Sequence, residues 1–301
     1  MAKTNIRQTK SKVEVQGTLS EKNLTIEGDV IKGSLTIQTS DVNFVTFQVY
    51  QNKMTKAGKV NSVYTGLETI NTMYKSIAEV GQDEATRVAV TNGEINPSTY
   101  FDAKGKHDNV KFKSSFFNRM ENKDIDPKAT FEQEIYIKAI IPEVKTSGED
   151  VGEETGRAIV RGWTVDYNGG LQAIELIAPV EDGIADAILS SFTVGQTVEF
   201  YGNIENNRIT REEVIPVKIG KPKINTITTY KNELVITNAS AEYEEGVFRV
   251  PYEADVIAKA EVEREASLAE KEGKAKSGEG ASGASAGQKP SNSSGKALPT
   301  W

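Results

Sequence analysis

Residues 44–50, FVTFQVY, alternate strictly: Val45, Phe47 and Val49 share one face, and Phe44, Thr46, Gln48 and Tyr50 share the other. Period two is the signature of a half-buried strand. The runs 12–19 (KVEVQGTL), 22–27 (KNLTIE) and 33–39 (GSLTIQT) read the same way, separated by turn residues. Between residues 12 and 250, helical periodicity occurs twice, in VYTGLETINTMYKSIAE (63–79) and DGIADAILSSF (182–192). A third stretch, 253–274, carries Ile257, Ala260 and Leu268 as a thin apolar stripe among Ala, Glu and Lys. It predicts a solvated helix that docks weakly or serves as a stalk.

The two internal helices lead into an internal repeat. VGQDEATRVAVTNGEI (80–95) follows the first and VGQTVEFYGNI (194–204) the second. Both run Val-Gly-Gln, then a strand, then Gly-x-Ile, and both are preceded by alternating strands. Strands, one helix and further strands, twice over, predict a mainly β chain of two OB-like barrels in tandem. SH3-like barrels and β-sandwiches give a similar strand count. The expected layout is a first barrel at 10–122, a second at 130–250 with an appended β-hairpin at 223–243, and an amphipathic helix at 251–273. A Gly/Ser-rich tail at 274–301 buries too little apolar surface to offset its chain entropy and reads as disordered.

Composition narrows the chemistry. The 301 residues contain no cysteine and a single histidine, His107, in a turn. Thiol catalysis, disulfides and thiolate zinc sites are therefore excluded. No phosphate loop of the G-x-x-x-x-G-K-[ST] type occurs, and the carboxylates single out no pair. Asp124 and Asp126 are more simply linker residues than metal ligands. The expectation is a non-catalytic protein with no cofactor and no metal. The N-terminus lacks the apolar run of a signal peptide, and no stretch approaches the ~18 apolar residues of a membrane span. These features read as a soluble, cytoplasmic protein without membrane contact.

Charge is distributed unevenly. The formal net charge is −7, yet residues 1–130 hold 18 Lys/Arg against 15 Asp/Glu, while 131–301 hold 18 against 28. The basic half is where a polyanion would bind. Within it, YFDAKGKHDNVKFKSSFFNRM (100–120) reads as a hairpin whose tip carries Lys104 and Lys106, with Tyr100 at its start. Period two places Val110, Phe112, Ser114 and Phe116 on an interior face. Lys111, Lys113, Ser115, Phe117 and Arg119 fall on the exterior, with successive same-face residues about 7 Å apart. Cations for phosphates and a ring for unpaired bases suit single-stranded nucleic acid, where stacking is worth about 1–3 kcal/mol per base. Tyr50 and the loop lysines Lys53, Lys56 and Lys59 join the candidate site. The other reading makes the lysines a solubilising edge and Phe117 a core residue at a bulge.

The second barrel offers one candidate, Trp163, on a face with Arg157, Arg161, Ile159 and Val165; it is equally readable as core. The acidic segments 148–154 and 180–186 argue for weak binding or an assembly role there.

VEVQGTL, FVTFQVYQNK, the helix followed by RVAVTNGEI, the charged hairpin YFDAKGKHDNVKFK and the Gly/Ser-rich tail together resemble the single-stranded DNA-binding proteins of bacteriophages. The likeness covers about residues 12–120, and the tail by composition. It implies a protein that coats transient single strands during replication or recombination. Phe117, Tyr50 and the neighbouring lysines would stand at stacking and phosphate-contacting positions. It also implies replication or recombination proteins as partners through the tail. Bacterial proteins of this type end in an acidic tip, whereas no Asp or Glu follows Glu279 here. A plain flexible spacer is therefore the tail's other reading. Homo-oligomerisation is left open. The rival functional class is a structural or virion assembly component, and an RNA- or carbohydrate-binding barrel is third.

Overall fold

The computed structural model describes residues 6–102, 105–121, 126–146, 150–215, 217, 219, 223–247 and 249–277. The tail beyond Ser277 lies outside the described residues, as do Lys104, Asp124 and residues 148–149 of the acidic segment 148–154.

The first strand, β1 (Ser11–Glu27), is continuous where the sequence predicted two runs. A register shift between Leu19 and Glu21 bends it instead of ending it. It is followed by β2 (Val30–Gln38), β3 (Phe44–Asn52), α1 (Ser62–Met73), α2 (Ile77–Val80), β4 (Arg87–Asp102) and β5 (Gly105–Lys113). β1 pairs with both β2 and β4, β2 with β3, and β4 with β5. A short parallel contact of Phe47 and Gln48 with Phe112 and Lys113 closes the ring. The order β1-β2-β3-β5-β4-β1, with the helix between β3 and β4, is the OB barrel. Val15, Leu35, Val45, Phe47, Val90 and Phe112 fill it. Tyr64, Leu67 and Ile70 of α1 plug one end. The helix predicted over 63–79 is two helices, because Ser76 and Glu79 form a capping box that starts α2 afresh.

After β6 (Asn118–Arg119) the pattern recurs in β7 (Lys128–Val144), β8 (Glu154–Val165), β9 (Leu171–Ala178), α3 (Ile184–Ser191), β10 (Thr197–Ile215) and β11 (Lys223–Ala239). β7 pairs with β8 and β10, β8 with β9, β10 with β11, and β11 meets β9 in parallel at Val235 and Ile177. The chain is therefore mainly β, two OB-like barrels in tandem, followed by a helix, α4 (Ala254–Ser277). The residues predicted to form an appended hairpin are β11 itself, paired along most of its length with a 19-residue β10.

The repeat has a packing reason. Antiparallel pairing of β1 with β7 fuses the barrels into one 11-stranded sheet and sets Val13 opposite Phe131. Val13 also faces Gly93, and Phe131 faces Gly202, the glycines of the two Gly-x-Ile segments. A Cβ on Gly93 would lie 3.0 Å from the Phe47 ring, and one on Gly202 only 2.0 Å from the Val235 carbonyl oxygen. Each glycine leaves room for the inward residue of the strand beside it.

Ile6 and the start of α4 meet on the second barrel. Ile6 is buried with Tyr136, Val165, Leu171, Tyr252, Ile257 and Ala260 in a separate apolar cluster, so α4 is docked and not a free stalk. Two buried carboxylates tie this region together. Glu134 accepts from the Arg7 guanidinium and, at 2.9 Å, from the Lys10 backbone N–H. Glu199 accepts from Lys10 Nζ at 2.5 Å and from Arg249.

Candidate nucleic-acid interface

The outer face of the first barrel is built by the outward positions of four neighbouring strands. On β2 these are Lys32, Ser34 and Thr36; on β3, Tyr50, Gln48 and Thr46 lie directly opposite them. Gln48 neighbours Lys113 on β5, and Lys113 and Lys111 face Glu94 and Asn96 of β4. Further along the same ladder Ser98 faces Asn109 and Tyr100 faces His107. The Tyr100 and His107 rings stack with centroids 5.1 Å apart at 19°, and the His107 Nε2 lies 2.8 Å from Asp102 Oδ1. Tyr50 is 63% exposed and marks the other end of the face. Between the two aromatic ends lie about eight strand positions, roughly 27 Å of path. The middle of that path is occupied by Lys111, Lys113, Glu94 opposite Lys113, and amide or hydroxyl side chains.

At the Tyr50 end the chain turns through 53–60. The Lys53 N–H donates to the Asp29 carbonyl at 2.7 Å, which holds this loop against the β1–β2 turn. Lys53, Lys56 and Lys59 are all exposed there. Lys32, which sequence reading left out, joins them, with Glu27 2.6 Å from its ammonium group. Its alternation with Ser34 and Thr36 was the available signal.

Three sequence-based assignments change. Phe117 is not an exposed platform: it is 4% exposed and meets Phe47 edge-on, with centroids 5.7 Å apart. Phe116, expected in the core, is 55% exposed. The alternation slips because β4 carries one extra residue between Val90 and Gly93, relative to β1. Everything paired to β4 beyond that bulge must reverse its faces. β6 stays in the register of β5 against β4, while Ser114 breaks the strand between them. Its Oγ accepts from the Phe116 N–H at 3.2 Å and donates to the Phe116 carbonyl at 3.1 Å. Ser115 hydrogen-bonds Gln51, which brings the Phe116 turn to the Tyr50 end of the face. Val110, also expected inside, is exposed because β4 and β5 project past the barrel as a ribbon.

Trp163, readable as platform or core, packs against the second apolar cluster. It lies beneath α4, its indole N–H donating to Glu261 and the Arg264 guanidinium 4.7 Å above its ring. The helix occupies the surface a base would need. Two further candidates sit off the face. Lys106 pairs with Asp108 at 3.1 Å on the opposite side of the hairpin, and Arg119 lies exposed on β6 against Val88. Among the described residues no three His, Cys, Asp or Glu side chains gather as a metal site, and no helix is long and apolar enough to cross a membrane.

Two solved structures of the single-stranded DNA binding protein from Thermus aquaticus are similar to this chain, both at 11% identity. A deletion mutant aligns with a TM-score of 0.49 over 79% of this chain and 97% of that one. The wild-type protein aligns with a TM-score of 0.45 over 81% and 98%. No curated protein matches the sequence. The YorF family model matches residues 10–274, which spans both barrels and nearly all of α4. By that match, the chain belongs to the YorF family.

Proposed function

We propose that this protein binds and coats single-stranded DNA without strong sequence preference, chiefly through the outer face of its first barrel. One observation carries the reading: Lys111 and Lys113 lie on one sheet face between two exposed aromatic ends, Tyr50 and the stacked Tyr100–His107 pair. Flat rings receive unpaired bases, while lysines on flexible stems follow the phosphates. Phe116 takes the stacking role the sequence gave to Phe117, and the loop lysines extend the positive path. A duplex would not fit the same logic, because its bases present edges and not faces.

The two barrels are read as separate domains, at 10–122 and 130–250, with the first holding the DNA. A role in replication or recombination, a bacteriophage origin and docking of partner proteins by the tail follow from the resemblance and, with a cytoplasmic location, are part of the same proposal. The testing experiment is fluorescence anisotropy of a labelled oligo-dT at two salt concentrations. Binding whose affinity falls as salt rises is expected, because each neutralised phosphate releases counterions. Absence of binding at low salt overturns the reading and favours the assembly role.

A further inference from the structure

The β10–β11 hairpin outgrows its barrel. Its last buried side chains are Ile204 and Leu234; beyond them the two strands run on as a bare ribbon to Ile215 and Lys223. Ile209, Ile215, Ile224, Ile227 and Tyr230 are all exposed on it. β10 pairs with β7 as far as Asn203, and the β2–β3 turn then covers its edge at Asn207 and Arg208. From Ile209 to Ile215 no described strand lies along that edge. An open, β-prone edge with apolar side chains is a template for another strand.

Backbone direction fixes which register such a strand would take. The Arg208 N–H donates to the Val42 carbonyl at 2.7 Å, so Arg208 aims its backbone groups away from β11. Thr210, Glu212 and Val214 share that parity and offer the hydrogen-bonding groups of the free edge. A two-fold axis at Glu212 then puts Ile209 opposite Ile215 of a second copy, and Arg211 opposite its Glu213. Each contact occurs twice, as a symmetric interface requires. The Arg–Glu pairs fall at the closer, non-hydrogen-bonded positions, whereas Glu212 meets its own copy at a wider, hydrogen-bonded one. Moving the axis to residue 211 or 213 instead sets Arg211 against Arg211, or Glu213 against Glu213, at the close spacing. Among the described residues neither Arg211 nor Glu213 has an ion-pair partner within the chain.

We infer that the free edge of β10, Ile209–Ile215, is a strand-pairing interface between two copies of this chain, in the register centred on Glu212. The occupant is a second copy because this register makes the segment complementary to itself in charge and in apolar positions. Pairing along this edge requires no nucleic acid.

Sedimentation velocity of the full chain, free of nucleic acid, over a range of concentrations tests it. The wild type is expected to show a concentration-dependent dimer. Arg211→Glu and Glu213→Arg should each weaken it about tenfold, since two attractive cross-strand pairs become repulsive. The double variant should restore the wild-type dimer to within a few-fold. Glu212→Gln should strengthen it, and Thr210→Pro, which removes an edge N–H, should abolish it with the circular dichroism spectrum unchanged. A wild type that stays monomeric at every concentration overturns the inference. So does a dimer whose single charge reversals have no effect, or whose double reversal fails to rescue.

Discussion

Phe117 meets Phe47 edge to face inside the first barrel, while its neighbour Phe116 stands in solvent. Two adjacent phenyl rings therefore carry opposite tasks. Phe117→Ala should destabilise the fold by about 3–5 kcal/mol, the usual cost of emptying a buried phenylalanine site. Phe116→Ala should leave the thermal transition nearly unmoved and weaken binding to oligo-dT. Thermal melts and anisotropy titrations on both variants separate the roles. A Phe117→Ala protein as stable as wild type would show the ring to be dispensable to the core.

The path between Tyr50 and Tyr100 predicts different signatures for rings and cations. Tyr50→Ala should lower affinity about 10-fold, in line with about 1–3 kcal/mol per stacked base, and leave the salt slope unchanged. Lys111→Ala with Lys113→Ala should lower affinity and also flatten the plot of log affinity against log salt by roughly 1.4, two phosphate contacts at about 0.7 each. Trp163→Phe, beneath α4, should alter neither quantity. Titrations at four salt concentrations read all three variants.

Much of this architecture is visible in period two alone. The alternation at 44–50 places Val45, Phe47 and Val49 in the core, where they are buried. The repeated Gly-x-Ile marks Gly93 and Gly202, each at the strand facing the first strand of its barrel. Illegible were features that depend on a partner strand. The faces of 114–119 follow a bulge in β4, more than twenty residues earlier in sequence, which no local pattern in SSFFNR records. Trp163 stayed readable as either platform or core because its cover, α4, comes about a hundred residues later. Tertiary contact of that separation has no periodicity to read.

Glu199 gives the fold an acid-sensitive clasp. Burial pushes its carboxyl upward, but the hydrogen bond from Lys10 and the charges of Lys10 and Arg249 outweigh that and hold it below the usual carboxylate range. A depressed folded value means the stabilising contribution is complete above the unfolded-state value of about 4.3 and is lost as pH falls through the lower folded one. Glu199→Gln should therefore be less stable than wild type near neutral pH, with the difference shrinking as the solution is acidified below about pH 4. Urea unfolding at several pH values measures this. A gap that stays constant across the range would show that the charge of Glu199 is not what holds Lys10 and Arg249.

Arg264 of α4 bonds to both barrels. It donates to the Leu171 carbonyl of β9 at 3.2 Å and to Thr99 Oγ1 of β4 at 3.1 Å, with its plane over Trp163. Thr99 also hydrogen-bonds Asp108 across the β4–β5 ribbon, so the helix steadies the hairpin that presents Tyr100 and His107. Part of this side chain is buried, and Arg264→Lys would keep the charge while losing the planar fork that reaches both acceptors. Both Arg264→Ala and Arg264→Lys should therefore speed amide exchange in residues 98–109 without a comparable change in β2 or β3. DNA affinity should fall modestly, because an unsteadied hairpin must be ordered when a base stacks on Tyr100. Hydrogen–deuterium exchange of the two variants reads the first effect directly. Unchanged exchange in 98–109 would mean the ribbon is rigid on its own and α4 only covers Trp163.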